Sequence, residues 1–98
     1  MSGEESIVPR RSKVDEFMSD GECVLYSPAR DQASVLNRSG TEIWELCDGS
    51  RSIGAIARTL AERYGVDDGL LLDDIAATVS IFRERGLVEL AGAAPPRT

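Results

Sequence analysis

The amino-acid sequence predicts an α+β domain in which a three-stranded antiparallel sheet precedes three helices. Three observations carry that expectation. Turn residues recur early, at Ser19-Asp20-Gly21-Glu22 and again from Pro28 to Gln32, between short β-rich runs. The hydrophobic period then changes from two to about 3.6 residues beyond Asn37. After that change, Gly49, Gly65 and Gly86 each follow an apolar stripe of helical spacing.

The first residues are polar and carry Pro9 with the basic pair Arg10 and Arg11, so residues 1–13 read as a flexible N-terminal arm, with order beginning near Val14. Lys13 to Met18 is the first expected strand. Glu22 to Tyr26, ECVLY, is the second, and it stops at Ser27-Pro28 because proline removes a ladder donor. Ala33 to Leu36 is the third, which completes a meander.

Ser39 with Glu42 three residues on has the form of a capping box, and Ile43, Leu46 and Cys47 follow as the stripe of a first helix that Asp48-Gly49 ends. Ser52 is the expected cap of a second helix, one face of which carries Ile53, Ile56, Ala57, Leu60, Ala61 and Tyr64. A third helix starts near Asp68 or Gly69 and ends at Gly86, with Asp73 and Asp74 in its N-terminal half, where negative charge suits the helix dipole. Leu87 to Leu90 extends beyond it. Residues 91–98, AGAAPPRT, read as a disordered tail, which leaves residues 14–90 as one domain.

On a helical wheel of about 100° per residue, Leu71, Leu72, Ile75, Val79 and Phe82 form the buried stripe of the third helix. Asp74, Thr78, Ile81 and Arg85 lie together along its flank. Ile81 is the apolar member of that flank, read either as edge packing or as the wall of a groove. A sheet of three short strands also has open edges, and an open edge is a template for an added peptide strand.

Charge narrows the partners. The 98-residue chain carries a net charge of −6, and its sequence pI is about 4.5, which opposes nucleic acid and anionic membrane alike. There is no long apolar run, and MSGEESIVPRRSK has no apolar stretch of signal-peptide length, so the expectation is a soluble cytoplasmic protein. Cys23 and Cys47 fit no metal-binding spacing, and the chain lacks histidine, so neither metal nor cofactor is expected. The acidic pairs Asp67-Asp68 and Asp73-Asp74 are adjacent in sequence, and neighbours on a helix diverge. The glycines form no phosphate-binding motif. No catalytic residue set emerges, and the chain reads as a non-enzyme.

The run VLYSPARDQASVLNRSGTEIWELCDGSRSIGAIARTLAERYGV, followed by DDIAATVSIFRERGLV, resembles the PqqD family, the small proteins of pyrroloquinoline quinone (PQQ) biosynthesis. The resemblance spans about residues 14–90 and is most specific at Leu36-Asn37, Ser39-Gly40, Ile43-Trp44 and Leu46-Cys47-Asp48-Gly49. It implies a fold similar to a winged helix-turn-helix. It also implies a non-catalytic chaperone that binds the leader of a ribosomally made precursor peptide and presents it to a tailoring enzyme, often a radical SAM protein. By the same resemblance the leader adds a strand beside the third strand, at Ala33, Ser34, Val35 and Leu36, in a groove walled by the third helix. The wall residues Asp74, Thr78, Ile81 and Arg85 come from the wheel, with Ile81 expected to receive an apolar leader side chain and Arg85 to pair with a leader carboxylate. Asn37 and Asp48-Gly49 read as shape-setting, and Trp44 as either core or partner contact.

The chain departs from the family pattern in having Pro28-Ala29 in place of Pro-Glu, and Gly86-Leu87 in place of Gly-Trp, which favours a related peptide pathway over PQQ synthesis itself. Two alternatives remain at this level. A DNA-binding winged helix shares the element order, but residues 67–85 hold five acids against two arginines, a sign that repels phosphate. A plain interaction module would pair its open edge with a second copy, so both monomer and homodimer stay open.

Overall fold

The structure, a computed structural model, describes residues 3–20 and 22–91. Its central sheet is the expected meander: β2 (Asp15–Ser19), β3 (Glu22–Ser27) and β4 (Gln32–Leu36) lie in that order, antiparallel throughout. Strand β1 (Val8–Arg11) precedes them. The helices α1 (Arg38–Leu46), α2 (Ile53–Tyr64) and α3 (Gly69–Glu84) follow, and β5 (Val88–Ala91) ends the described chain.

Alternation decides which face of the meander is covered. Cys23 and Leu25 of β3 and Ser34 and Leu36 of β4 point inward and are buried, whereas Phe17, Ala33 and Val35 point outward and are exposed. The inward residues join Ile43, Trp44, Ile56, Leu60, Ile75, Val79, Phe82 and Leu87 in one core. Cys23 and Cys47 are free thiols within it. Among the described residues, no helix is long and apolar enough to cross a membrane.

The expected N-terminal arm needs correction. From Gly3 to Ser6 the chain forms a 3-10 turn, and β1 pairs antiparallel with β5, from Val8↔Ala91 to Arg11↔Val88. Pro9 is among the most deeply buried side chains. The cause is non-local. The strand closes against the segment after α3 and is tied to the α1–α2 connection by Gly49 N–H to Pro9 O at 3.0 Å and Arg11 N–H to Cys47 O at 3.0 Å, while Ile7, just before it, accepts from Ile53 N–H at the start of α2 at 2.8 Å. The extended tail expected at Leu87 to Leu90 is thus the partner strand β5. The expected disordered tail from 91 onward lies outside the described residues, apart from Ala91.

The start of α1 also differs. Asn37, not Ser39, is the N-cap: its side chain accepts from Gly40 N–H at 2.8 Å, and the Ser39 hydroxyl, already in the first turn, donates to the same oxygen at 3.1 Å. Asn37 alone separates strand from helix, so α1 leaves the sheet with almost no linker. The second helix starts and stops as expected, capped by Ser52 and closed by left-handed Gly65. In α3, Ile75, Val79 and Phe82 are buried as expected, but Leu71 and Leu72 are only partly so, at the edge of the core. Trp44 belongs to the core: it is 4% exposed, its indole N–H donates to Leu87 O at 3.4 Å, and the Arg11 guanidinium lies 5.4 Å from its ring centre.

Candidate functional site

β4 is an edge. It bonds to β3 on one side, and no strand lies on the other among the described residues. Which of its residues present free backbone groups follows from the turn before it. The Ser27 carbonyl accepts from Arg30 N–H at 3.2 Å, so it points into the β3–β4 hairpin. Backbone groups alternate sides along a strand, so Ser27, Leu25 and Cys23 bond towards β4, and their partners Gln32, Ser34 and Leu36 bond back. Ala33 and Val35 are left with N–H and C=O directed outwards. Both side chains are exposed, Val35 at 60%.

Next to this edge lies a groove made of two adjoining depressions. The first, of about 360 Å³, is lined by Val35, Leu36, Asn37, Ser39, Ile43, Thr78 and Phe82, among others. The second, of about 400 Å³, runs on between α1, the end of α2 and α3, past Glu42, Tyr64, Leu71, Asp74 and Ile81. Ser39, Ile43 and Thr78 line both. A segment leaving the C-terminal end of β4's edge therefore enters a trough of mixed polar and apolar lining that becomes mainly apolar beyond Thr78.

The eight residues expected at the site fall in different settings. Val35, Leu36, Asp74, Thr78 and Ile81 line the groove, and Ile81 is 49% exposed, an apolar wall without a core role. Ser34 is buried at 3% and contributes its side chain to the interior, while Ala33 stands on the open edge. Arg85 caps the C-terminal end of α3 and donates to the Ser34 hydroxyl at 3.3 Å, which joins strand to helix at the far end. Its remaining N–H groups are available to a carboxylate.

Sequence reasoning missed Ser39, Ile43, Phe82, Glu42 and Tyr64. Ile43 and Phe82 read as core residues, and they are buried, yet they also floor the groove. Tyr64, 52% exposed, donates its hydroxyl to Glu42, a contact across the far mouth that Arg63 reinforces at 3.9 Å from the same carboxylate. A tyrosine at the last turn of an otherwise aliphatic stripe was the available signal.

The thiols offer no chemistry to the groove. Burial pushes Cys47 up to about 12, with Arg11 pulling down and Asp48 pushing up, and its Sγ lies 3.2 Å from the Ile43 carbonyl. Cys23 is raised as well, by burial and then by Glu16 and Glu45. No cluster of three or more metal-ligating side chains occurs among the described residues.

Known proteins were compared with this chain. The family model described as coenzyme PQQ synthesis protein D (PqqD) matches residues 22–88. A PqqA binding protein of Rhodopseudomonas palustris strain HaA2 is 30% identical, over 84% of this chain and 78% of its own length. That of strain TIE-1 is 28% identical over 92% and 86%, and that of Bradyrhizobium diazoefficiens 26% over 84% and 78%. Among solved structures, TbiB1 in complex with the TbiA(beta) leader peptide matches with a TM-score of 0.72 over 82% of this chain and 94% of that one, at 22% identity, and so shares the fold. The family model covers more than half of the sequence, including the whole β3–β4 hairpin and all three helices: the chain belongs to the PqqD family.

Proposed function

We propose that this protein binds the leader segment of a ribosomally made precursor peptide by strand addition to β4 and presents it to a tailoring enzyme. One observation carries the reading: the unpaired edge at Ala33 and Val35 stands beside a groove walled by α3 whose farther half is mainly apolar. The backbone edge supplies affinity without regard to sequence, and the groove supplies side-chain selection, the division of labour of peptide recognition by strand addition. The relatives' name, PqqA binding protein, and the leader peptide bound to TbiB1 support a peptide ligand. We place the activity in the cytoplasm, where such precursors are translated.

Thr78 and Ile81 face the bound strand, Asp74 lies farther along the same wall, and Arg85 takes a leader carboxylate at the Ser34 end. The role requires no bond-making group, in keeping with thiols held protonated by burial. The test is an NMR titration of the labelled protein with a precursor leader peptide. Amides of β4 and of the Asp74-to-Arg85 face should shift, and Ile81→Glu should weaken binding about tenfold by opposing burial of an apolar leader side chain. Unperturbed β4 amides on binding would sink the proposal. Self-association through β4 would appear instead as a dimer by light scattering that leader peptide fails to dissociate.

A further inference from the structure

Another cavity stands apart from the groove. It lies between the β1–β5 ribbon and the β3–β4 turn, about 690 Å³, and is lined by Arg10, Arg11, Lys13 and Arg30 with Glu89 as its sole carboxylate. A chain with seventeen acidic and eleven basic residues thus gathers four cations around one space. Their charges are largely uncompensated. Arg10 pairs with Glu89, but Arg11 donates to the carbonyls of Trp44 and Glu45, and Arg30 donates to the Glu84 carbonyl at 2.7 Å. Carbonyls satisfy N–H groups and fix the guanidiniums in place without cancelling charge. Lys13 has no ion-pair partner among the described residues.

The cavity adjoins the N-terminal end of the open strand. Arg30 lies two positions before Gln32, where β4 begins, and its side chain packs so closely on Gly86 that a Cβ there would meet Arg30 Nε at 2.5 Å. A peptide strand on the β4 edge that runs past Gln32 therefore meets Arg30 and Arg85, with the basic cavity beyond. At its other end the same strand would enter the groove, whose charged lining residues beyond Thr78 are Glu42 and Asp74. The two ends of the edge thus differ in the sign of the charge beside them.

We propose that this cavity binds an acidic stretch of the peptide, the part that continues beyond the Gln32 end of β4; this deepens the leader-binding reading and rests on it. Coulombic attraction at a rim open to solvent favours several carboxylates in a flexible segment over any single one, and it weakens with salt.

The probe is an acetylated, amidated octaglutamate peptide, which lacks the apolar strand that β4 addition needs, so its outcome is independent of whether β4 takes a leader. In an NMR titration of the intact protein at low salt, the amides of Arg10 to Lys13, Ala29, Arg30 and Gly86 to Glu89 should shift and saturate. Octaglutamine should leave them in place. Lys13→Gln removes an exposed side chain that holds nothing else and should raise the dissociation constant about two- to fivefold. Shifts centred elsewhere, no shifts, equal shifts with octaglutamine, or equal shifts with acetate at matched carboxylate concentration would each overturn the proposal.

Discussion

The phase of β4 gives the sharpest test of the candidate site, because two adjacent residues should respond oppositely to the same substitution. Ala33 has its N–H directed to the open edge, and its side chain is exposed, so Ala33→Pro removes no ladder bond. The preceding Gln32 is already extended, as a residue before proline prefers. Folded stability should change by less than about 1 kcal/mol. Ser34 is the reverse case. Its N–H bonds towards Leu25, and its side chain is buried at 3%, so Ser34→Pro loses a ladder bond and orphans a buried carbonyl, about 2–4 kcal/mol in all.

Binding should follow the other order. A leader strand on β4 loses the Ala33 donor and leaves its own carbonyl unpaired, a cost of about 1–3 kcal/mol, or roughly five- to 150-fold in affinity. The assay is paired: thermal unfolding followed by circular dichroism, and fluorescence polarisation with the labelled leader. Ala33→Pro should melt like the parent and bind poorly, whereas Ser34→Pro should melt far lower. An Ala33→Pro variant that binds normally refutes strand addition at this edge, and one that unfolds while Ser34→Pro stays intact refutes the assigned phase.

Asn37→Ala deletes the oxygen that caps α1 and should cost about 1 kcal/mol, some 4–8 °C in melting temperature, while Ser39→Ala should cost much less; equal losses would restore Ser39 as the cap. A second prediction concerns pH. Burial holds the Cys47 thiol protonated up to about 12, whereas an unfolded cysteine ionises near 9.0. Its folded value is raised, so its contribution is whole below pH 9 and is lost as pH rises towards 12, about 1.4 kcal/mol by pH 10. Urea unfolding of the parent and Cys47→Ala at pH 8 and pH 10 should show the gap between them narrow by about that amount, and a constant gap would contradict the assignment.

The strands and helices of the central domain were legible because each carries its own period. Cys23 and Leu25 alternate with less buried neighbours, and Ile53, Ile56, Ala57 and Leu60 recur at helical spacing, so there local pattern and final burial coincide; on β4 they do not, since polar Ser34 is buried and apolar Val35 exposed. β1 had no such signature. Val8-Pro9-Arg10-Arg11 is short, interrupted by proline and half basic, and what orders it is a partner some eighty residues away in sequence together with carbonyls of the α1–α2 connection. Local composition cannot display a remote partner. The cap of α1 was ambiguous for a different reason. Asn37 and Ser39 are both competent acceptors two residues apart, and the choice is made by Thr41 N–H reaching Asn37 O at 2.8 Å, which starts the helical ladder before Ser39 can lie outside it.

The candidate site divides along the same line. The wheel put Asp74, Thr78 and Ile81 on one flank of α3, and they line one groove, because the azimuth of a side chain on a helix is set by covalent geometry. The opposite wall and the floor depend on how α1 docks against α3, so Ile43 and Phe82, which any hydrophobic pattern assigns to the core, also floor the groove. On β4 the sequence offers four consecutive residues with equal claims. Only the hairpin distinguishes them: once the Ser27 carbonyl turns in to meet Arg30, Ser34 and Leu36 must spend their backbone groups on β3, and the open edge is left to Ala33 and Val35. The same turn fixes Arg30 against the end of α3, so the register that exposes those two residues also sets the cation at the Gln32 end of the open edge.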